Sequence, residues 1–192
     1  MAQCAVQINQ KIKSHLRHFP SLFLGLILCF TAGVHARAGE FVETTGDILQ
    51  YVLPATAAGM TLINKDGQGA WQFGGSAALA MGVTYGLKYT VDETRPSGSS
   101  RSFPSAHTSI SFSSAEFIRK RYGWEVGAPA YAAATFVAYS RVESREHYTH
   151  DVLAGAVIGI VSSYLLTTPF QGWEIRSVID GKYFGVRIAG NW

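Results

Sequence analysis

At 192 residues, 47% of them hydrophobic and only 15% charged, the chain is long enough for one domain with its own core and too apolar for a disordered segment. The formal charge of +3 comes from the first 38 residues, where Lys11, Lys13, Arg17 and Arg37 stand without an acidic residue; the rest is close to neutral, and no nucleic-acid partner is expected. Both cysteines, Cys4 and Cys29, lie in that same stretch, which excludes a disulfide framework or thiolate chemistry from the remainder.

The opening runs from basic residues into an apolar segment at 19–34 and then small residues around Ala36 and Ala38. That order is expected of a secretory signal cleaved near residue 38, with an uncleaved N-terminal membrane anchor as the alternative. Either way the chain leaves the cytoplasm, and residues 39–192 form a single domain in the periplasm or on the periplasmic face of the inner membrane.

Along that domain the pattern predicts a helix over 47–64, capped by Asp47 and bent or restarted near Pro54. Residues 65–69 (KDGQG) break it, and a second Ala- and Gly-rich helix over 71–89 delivers Lys88 at its end. A loop rich in Arg, Pro, Ser and Gly follows over 92–104. Ser105 then caps a third helix that stops at Tyr122-Gly123, a fourth covers 128–142, and a fifth runs from Glu146 to a halt before Pro169. The tail reads as two short strands around a turn at Asp180-Gly181. The expected fold class is therefore all-α, five to six helices in a bundle with a small C-terminal β-hairpin. Three uncharged stretches of about 17 residues sit at the lower edge of a bilayer span. A compact bundle outside the bilayer and an embedded one both remain open; the polarity of residues 102–114, unsuited to lipid, favours the former.

Three clusters carry the chemistry: KYTVDETRP from Lys88, PSAHT from Pro104, and SRVESREHYTHD from Ser140 to Asp151. Lys88, Arg95 and Arg141 supply three cations, the arginines able to fork onto two oxygens of a phosphate. The Ser105 hydroxyl and the backbone N–H groups at the start of the third helix add donors. His147 and Asp151, four apart, are expected on one helical face, the carboxylate fixing one ring nitrogen and the other presented as nucleophile or base. His107, on a separate element, can supply a proton to a leaving oxygen. Taken singly, each residue has an ordinary use as a cap or a solvated charge; their joint occurrence suits metal-free phosphoryl transfer. His150 lacks the further ligands a zinc site needs and the HExxH pattern is absent, so no metal is expected; His150, Arg101 and Arg145 are placed at the pocket rim.

Together the motifs K-x6-R-P, P-S-x-H and S-R-x5-H-x3-D resemble the signature of the type 2 phosphatidic acid phosphatase (PAP2) superfamily, which also contains bacterial acid phosphatases and vanadium haloperoxidases. Ala106 stands where that signature has glycine. The resemblance implies that Lys88, Arg95 and Arg141 bind phosphate, assisted by Ser105 and the Ala106 backbone. It implies that His147 forms a phosphohistidine, that Asp151 orients it, and that His107 protonates the leaving group. It also implies a substrate such as lipid A, undecaprenyl pyrophosphate, phosphatidic acid or phosphatidylglycerol phosphate, met at a membrane and hydrolysed without a cofactor. The alternatives are a general acid phosphatase on soluble phosphomonoesters, a vanadium-dependent haloperoxidase and a non-catalytic binder of anionic lipid.

Overall fold

The computed structural model describes residues 38–170, with side chains from 40 onward, and beyond them the backbone of two strands. The basic and apolar opening segment lies outside the described residues. Five helices follow in order: α1 Ala38–Ile63, α2 Gly67–Thr90, α3 Ala106–Tyr122, α4 Trp124–Glu143 and α5 Thr149–Leu166. All-helical architecture is thus what the described side chains build.

The helix boundaries differ from the sequence reading where tertiary contacts override local signals. Helix α1 begins at Ala38 and runs unbroken through Pro54, so Asp47 lies inside it and caps nothing. Pro54 removes one backbone hydrogen bond, but the helix is held on both sides of it by Leu53 and Ala57, both wholly buried. Asp66 caps α2 instead, its carboxylate accepting from Gly69 N at 2.8 Å. Gly123, at φ 96°, ends α3 and starts α4 at once, so α4 gains a turn ahead of residue 128. That turn is fixed by Trp124, stacked on Tyr131 with centroids 6.0 Å apart and covered by the Arg119 guanidinium. Helix α5 begins at Thr149, later than the predicted Glu146, because the Asp151 carboxylate accepts from Tyr148 N at 2.9 Å and sets the first turn there.

Helix α3 packs against all four others and exposes none of its residues. Part of its surroundings is an apolar cluster of Leu53, Ala57, Met60, Phe117, Ile118, Ala130 and Ala134, with Phe73 against Phe117 at 5.0 Å. The rest is polar and small. Thr84 donates to Ser109 at 2.8 Å, and Ser163 donates to the Ser113 carbonyl at 2.7 Å, so buried hydroxyls are satisfied between helices. Gly155 and Gly159 let α5 lie almost in contact with the α3 backbone: a Cβ at either would sit 2.5 Å from the Ser105 carbonyl oxygen or 2.3 Å from that of Ser109.

Buried polar residues therefore share the interior with the apolar cluster, while apolar side chains also stand on the outside. Ser109, Ser111, Ser113 and Ser114 are buried, while Leu79 and Val83 on α2 and Leu153, Val157, Val161 and Leu165 on α5 face outward. The polar residues 102–114 face the interior, which removes the sequence argument against embedding. Helix α5 is the one helix among the described residues long and apolar enough to cross a membrane, with mean hydropathy 1.4.

At one end of the bundle Asp66 accepts from Arg121 Nε at 2.7 Å, Arg121 Nη2 at 2.5 Å and Tyr122 Oη at 2.9 Å. The opposite end of α2 carries Lys88, about 33 Å away along a helix that rises 1.5 Å per residue. Past α5, the backbone of β1 (Trp173–Asp180) and β2 (Tyr183–Gly190) pairs antiparallel, Ser177 opposite Val186. The turn expected at Asp180-Gly181 extends outside the described residues.

Candidate active site

Lys88 reaches the site because α2 ends just past it and loop 91–105 folds back over it. Its ammonium donates to the Arg101 carbonyl at 2.8 Å and the Ser102 carbonyl at 3.2 Å. The loop is pinned in turn by Arg95 N to Ser99 O at 2.7 Å and Ser102 N to Glu93 O at 2.7 Å. Arg101 takes φ 61° there and lays its guanidinium over the Tyr89 ring.

These residues surround a cavity of about 320 Å³ lined by Lys88, Arg95, Arg101, Ala106, His107 and His147, with Tyr85, Tyr89 and Ser100 completing the wall. Arg95 is paired with Glu146. Its Nε is buried and makes no hydrogen bond among the described residues. Ala106 is the first residue of α3 and has no positive φ, so the position accepts alanine as readily as glycine. The first N–H groups of α3 have no partner within the helix and carry its positive dipole end.

His147 does not share a helical face with Asp151, since it precedes α5. It sits in the turn after α4, held by its backbone N–H to the Arg141 carbonyl at 3.1 Å. Its Nδ1 edge nonetheless lies 3.4 Å from Asp151 Oδ2, so Nε2 is the nitrogen left for the cavity. Asp151 is wholly buried. Its Oδ2 also receives Tyr148 N and the hydroxyl of buried Ser102, which lies 3.5 Å from His147 Nδ1 as well. Burial first, then the charges of Lys88 and Arg95, press the His147 imidazole down to about 4 against the pull of Asp151, so the ring is neutral at ordinary pH.

His107 lies across the cavity in the first turn of α3. Burial and then the Arg141 guanidinium lower its imidazole to about 4, with Asp47 opposing. Asp47 stands between the two, 2.8 Å from Arg141 Nη1 and 3.5 Å from His107 Nε2. Arg141 itself does not line the cavity: Nη2 donates to the Glu43 carbonyl at 2.9 Å and Nε to Ser140 Oγ at 3.2 Å. Ser105 is also buried away from the opening, accepting from Thr108 N and Thr108 Oγ1 as the cap of α3. Arg145 is exposed at φ 57° outside the lining, and His150 turns onto Glu93 at 2.9 Å.

The structure thus brings six of the expected residues, Lys88, Arg95, Arg101, Ala106, His107 and His147, onto one cavity, with Asp151 behind the last. Sequence reasoning missed Asp47, Glu93, Ser102 and Glu146. Each is an ordinary polar residue in its own neighbourhood and meets its partner only across 49 to 94 positions of chain.

The PAP2 superfamily model matches residues 69–174, which contain every one of these motifs. A lipid A 1-phosphatase of Porphyromonas gingivalis is 29% identical over 167 residues, covering 78% of this chain and 37% of that protein. "Probable diacylglycerol pyrophosphate phosphatase 1" of Schizosaccharomyces pombe is 28% identical over 114 residues, 47% of this chain and 41% of its own. The chain therefore spans less than half the length of these curated relatives. The crystal structure of Aquifex aeolicus LpxE superposes with a TM-score of 0.61 over 74% of this chain and 92% of that one, at 21% identity, a likeness of fold.

Proposed function

The chain belongs to the PAP2 superfamily, and from that membership and the cavity geometry we propose that it is a phosphoric ester hydrolase releasing the terminal phosphate of a lipid phosphate or pyrophosphate. The observation that carries the reading is His147 held from behind by Asp151 and facing a cavity with Lys88, Arg95 and His107.

In the proposed reaction Lys88, the Arg95 guanidinium with its unpartnered Nε, and the first N–H groups of α3 hold the phosphate oxygens. Arg141 adds charge from behind Asp47. The neutral His147 Nε2 attacks phosphorus, and its Nδ1–H stays on Asp151, which stabilises the charge the ring acquires. As the phosphorus–oxygen bond breaks, His107 gives its proton to the leaving oxygen. Burial and then Arg141 leave the ligand-free His107 ring neutral, so in this mechanism a bound phosphate, by offsetting the cations, raises its affinity for a proton and the ring takes one up as substrate binds. Water, deprotonated by the now neutral His107, then attacks phosphorus, the phosphorus–nitrogen bond breaks, and inorganic phosphate leaves.

A lipid substrate is favoured by the outer surface. Leu79 and Val83 lead along exposed α2 toward Tyr85 and Tyr89 at the cavity, a track suited to acyl or prenyl chains. The roughly 33 Å between the Asp66 and Lys88 ends of α2 is close to the ~30 Å of a bilayer's hydrocarbon, and we place α5 across it with the cavity at headgroup level. The basic and apolar N-terminal segment is proposed to direct that end to the periplasmic side. The relatives' names make lipid A and pyrophosphate-bearing lipids the first substrates to try.

The covalent step is tested by reacting the protein with substrate labelled in the terminal phosphate and quenching in alkali. Label should stay on wild-type protein, be released by acid, and be missing from His147→Ala. Equal label on His147→Ala would overturn the assignment of the nucleophile.

A further inference from the structure

Outside the cavity, Glu93 of loop 91–105 meets His150 and Asp151 of the first turn of α5, with one ligand atom from each lying within 4.8 Å of the others. His150 Nε2 is 2.9 Å from Glu93 Oε1 and 3.2 Å from Asp151 Oδ1. A ring nitrogen facing two carboxylate oxygens requires a cation among them, either a proton on the nitrogen or a metal ion. A single N–H can serve only one oxygen, and here it is aligned with Glu93. Among the described residues Asp151 Oδ1 is left buried with no hydrogen bond, while the donors to this carboxylate crowd onto Oδ2. A buried carboxylate oxygen without a partner is costly and calls for an occupant.

The spacing suits a metal. Bonds of ~2.0–2.2 Å to nitrogen and oxygen in a tetrahedral shell put neighbouring ligand atoms ~3.3 Å apart, within a few tenths of an ångström of both observed separations. The imidazole is held in orientation by stacking on Tyr148, 8° from parallel, and the exposure of His150 and the partial exposure of Glu93 bring solvent to the group.

We propose that Glu93, His150 and Asp151 bind a divalent transition metal, zinc best suiting one imidazole with two carboxylates, and that the bound ion inhibits the enzyme. The coupling runs through Asp151. A metal on Oδ1 draws electron density from the carboxylate whose Oδ2 holds His147 Nδ1–H, leaving His147 the weaker nucleophile. The inhibitory half rests on the phosphohistidine reading; the binding half does not.

The test uses the full chain, free of any affinity tag, in detergent, with zinc measured by competition against a chromophoric chelator for wild type, His150→Ala and Glu93→Gln. Wild type should bind one more zinc ion than either variant. Zinc should also slow its phosphate release from a soluble aryl phosphate by about tenfold or more, while each variant in zinc keeps the rate that it has itself in chelator. Equal zinc binding in all three proteins would overturn the site. Binding lost in the variants with inhibition undiminished would overturn the coupling. If wild type in chelator releases no phosphate from the aryl phosphate or from lipid A, undecaprenyl pyrophosphate or phosphatidic acid, the hydrolase reading fails, and the difference in zinc bound still judges the site.

Discussion

Gly155→Ala tests whether the close approach of α5 to α3 sets the alignment of the site. A Cβ at this position would lie 2.5 Å from the Ser105 carbonyl oxygen and 3.2 Å from Thr108 Cβ, where ordinary contact begins at 3.4 Å. The methyl therefore needs about 0.9 Å more room against backbone that cannot swing away. Gly155 is one turn, about 6 Å, from Asp151, and Asp151 also receives Ser105 N on its carbonyl at 3.1 Å. Opening the crossing by that amount stretches the 3.4 Å approach of Asp151 to His147 past any hydrogen bond. Displacements of ~1 Å in a reacting group cost about 10²-fold, so kcat should fall by roughly that factor while KM, set by Lys88 and Arg95 on other elements, changes little. Overpacking costs ~1–3 kcal/mol, offset by the ~1 kcal/mol that alanine gains over glycine in a helix, so the melting point should drop modestly. Gly82→Ala on exposed α2, where a Cβ meets nothing within 4 Å, is the control: full kcat and a slightly raised melting point. Wild-type kcat in Gly155→Ala would refute the argument.

His107→Ala should slow substrates with poor leaving groups far more than aryl phosphates, and equal losses on both would remove it as the proton donor. Histidine NMR of the ligand-free protein in chelator should place the His147 titration near pH 4; a midpoint near 6.5 would contradict its burial among cations. Because that folded-state pKa is lowered, the unfolded chain takes the proton first. The stability conferred by His147 is full above pH 6.5 and is lost, up to ~3 kcal/mol, as pH falls to about 4. Vanadate, by offsetting Arg141, Arg95 and Lys88, should raise the His107 titration; no upward shift would mean that the anion binds elsewhere. Asp66→Ala should cost ~3–5 kcal/mol by stranding the buried Arg121 guanidinium, and Asp66→Ala with Arg121→Met should recover most of it; a single variant as stable as wild type would show that the pair is not buried.

The site was legible in the sequence to the extent that its chemistry is fixed by spacing along the chain. Lys88, Arg95, His107, His147 and Asp151 could be named because they fall at fixed spacing within three short motifs, in the last or first turn of a helix or in the loops beside one. Asp47 was misread as a cap because an acidic residue ahead of an apolar run looks the same whether it starts a helix or sits inside one. Its partner Arg141 is 94 positions away, beyond any local pattern. Ser102, Glu93 and Glu146 escaped for the same reason. The polarity of 102–114 was read correctly and its direction was not: sequence shows that serines avoid lipid, but only the packing of α3 among four helices shows that they avoid it by facing inward. His147 was expected on a helix face with Asp151, yet the Asp151 carboxylate caps the helix from within and pushes its start past His147.

The central claim is His147-dependent hydrolysis of a lipid phosphate. It is met most directly by measuring phosphate release in chelator from lipid A, undecaprenyl pyrophosphate, phosphatidic acid and a soluble aryl phosphate, for wild type and His147→Ala. The account predicts a strong preference of wild type for one of the lipids and no release above background by His147→Ala. Release from the aryl phosphate alone, or release that survives the loss of His147, would contradict it.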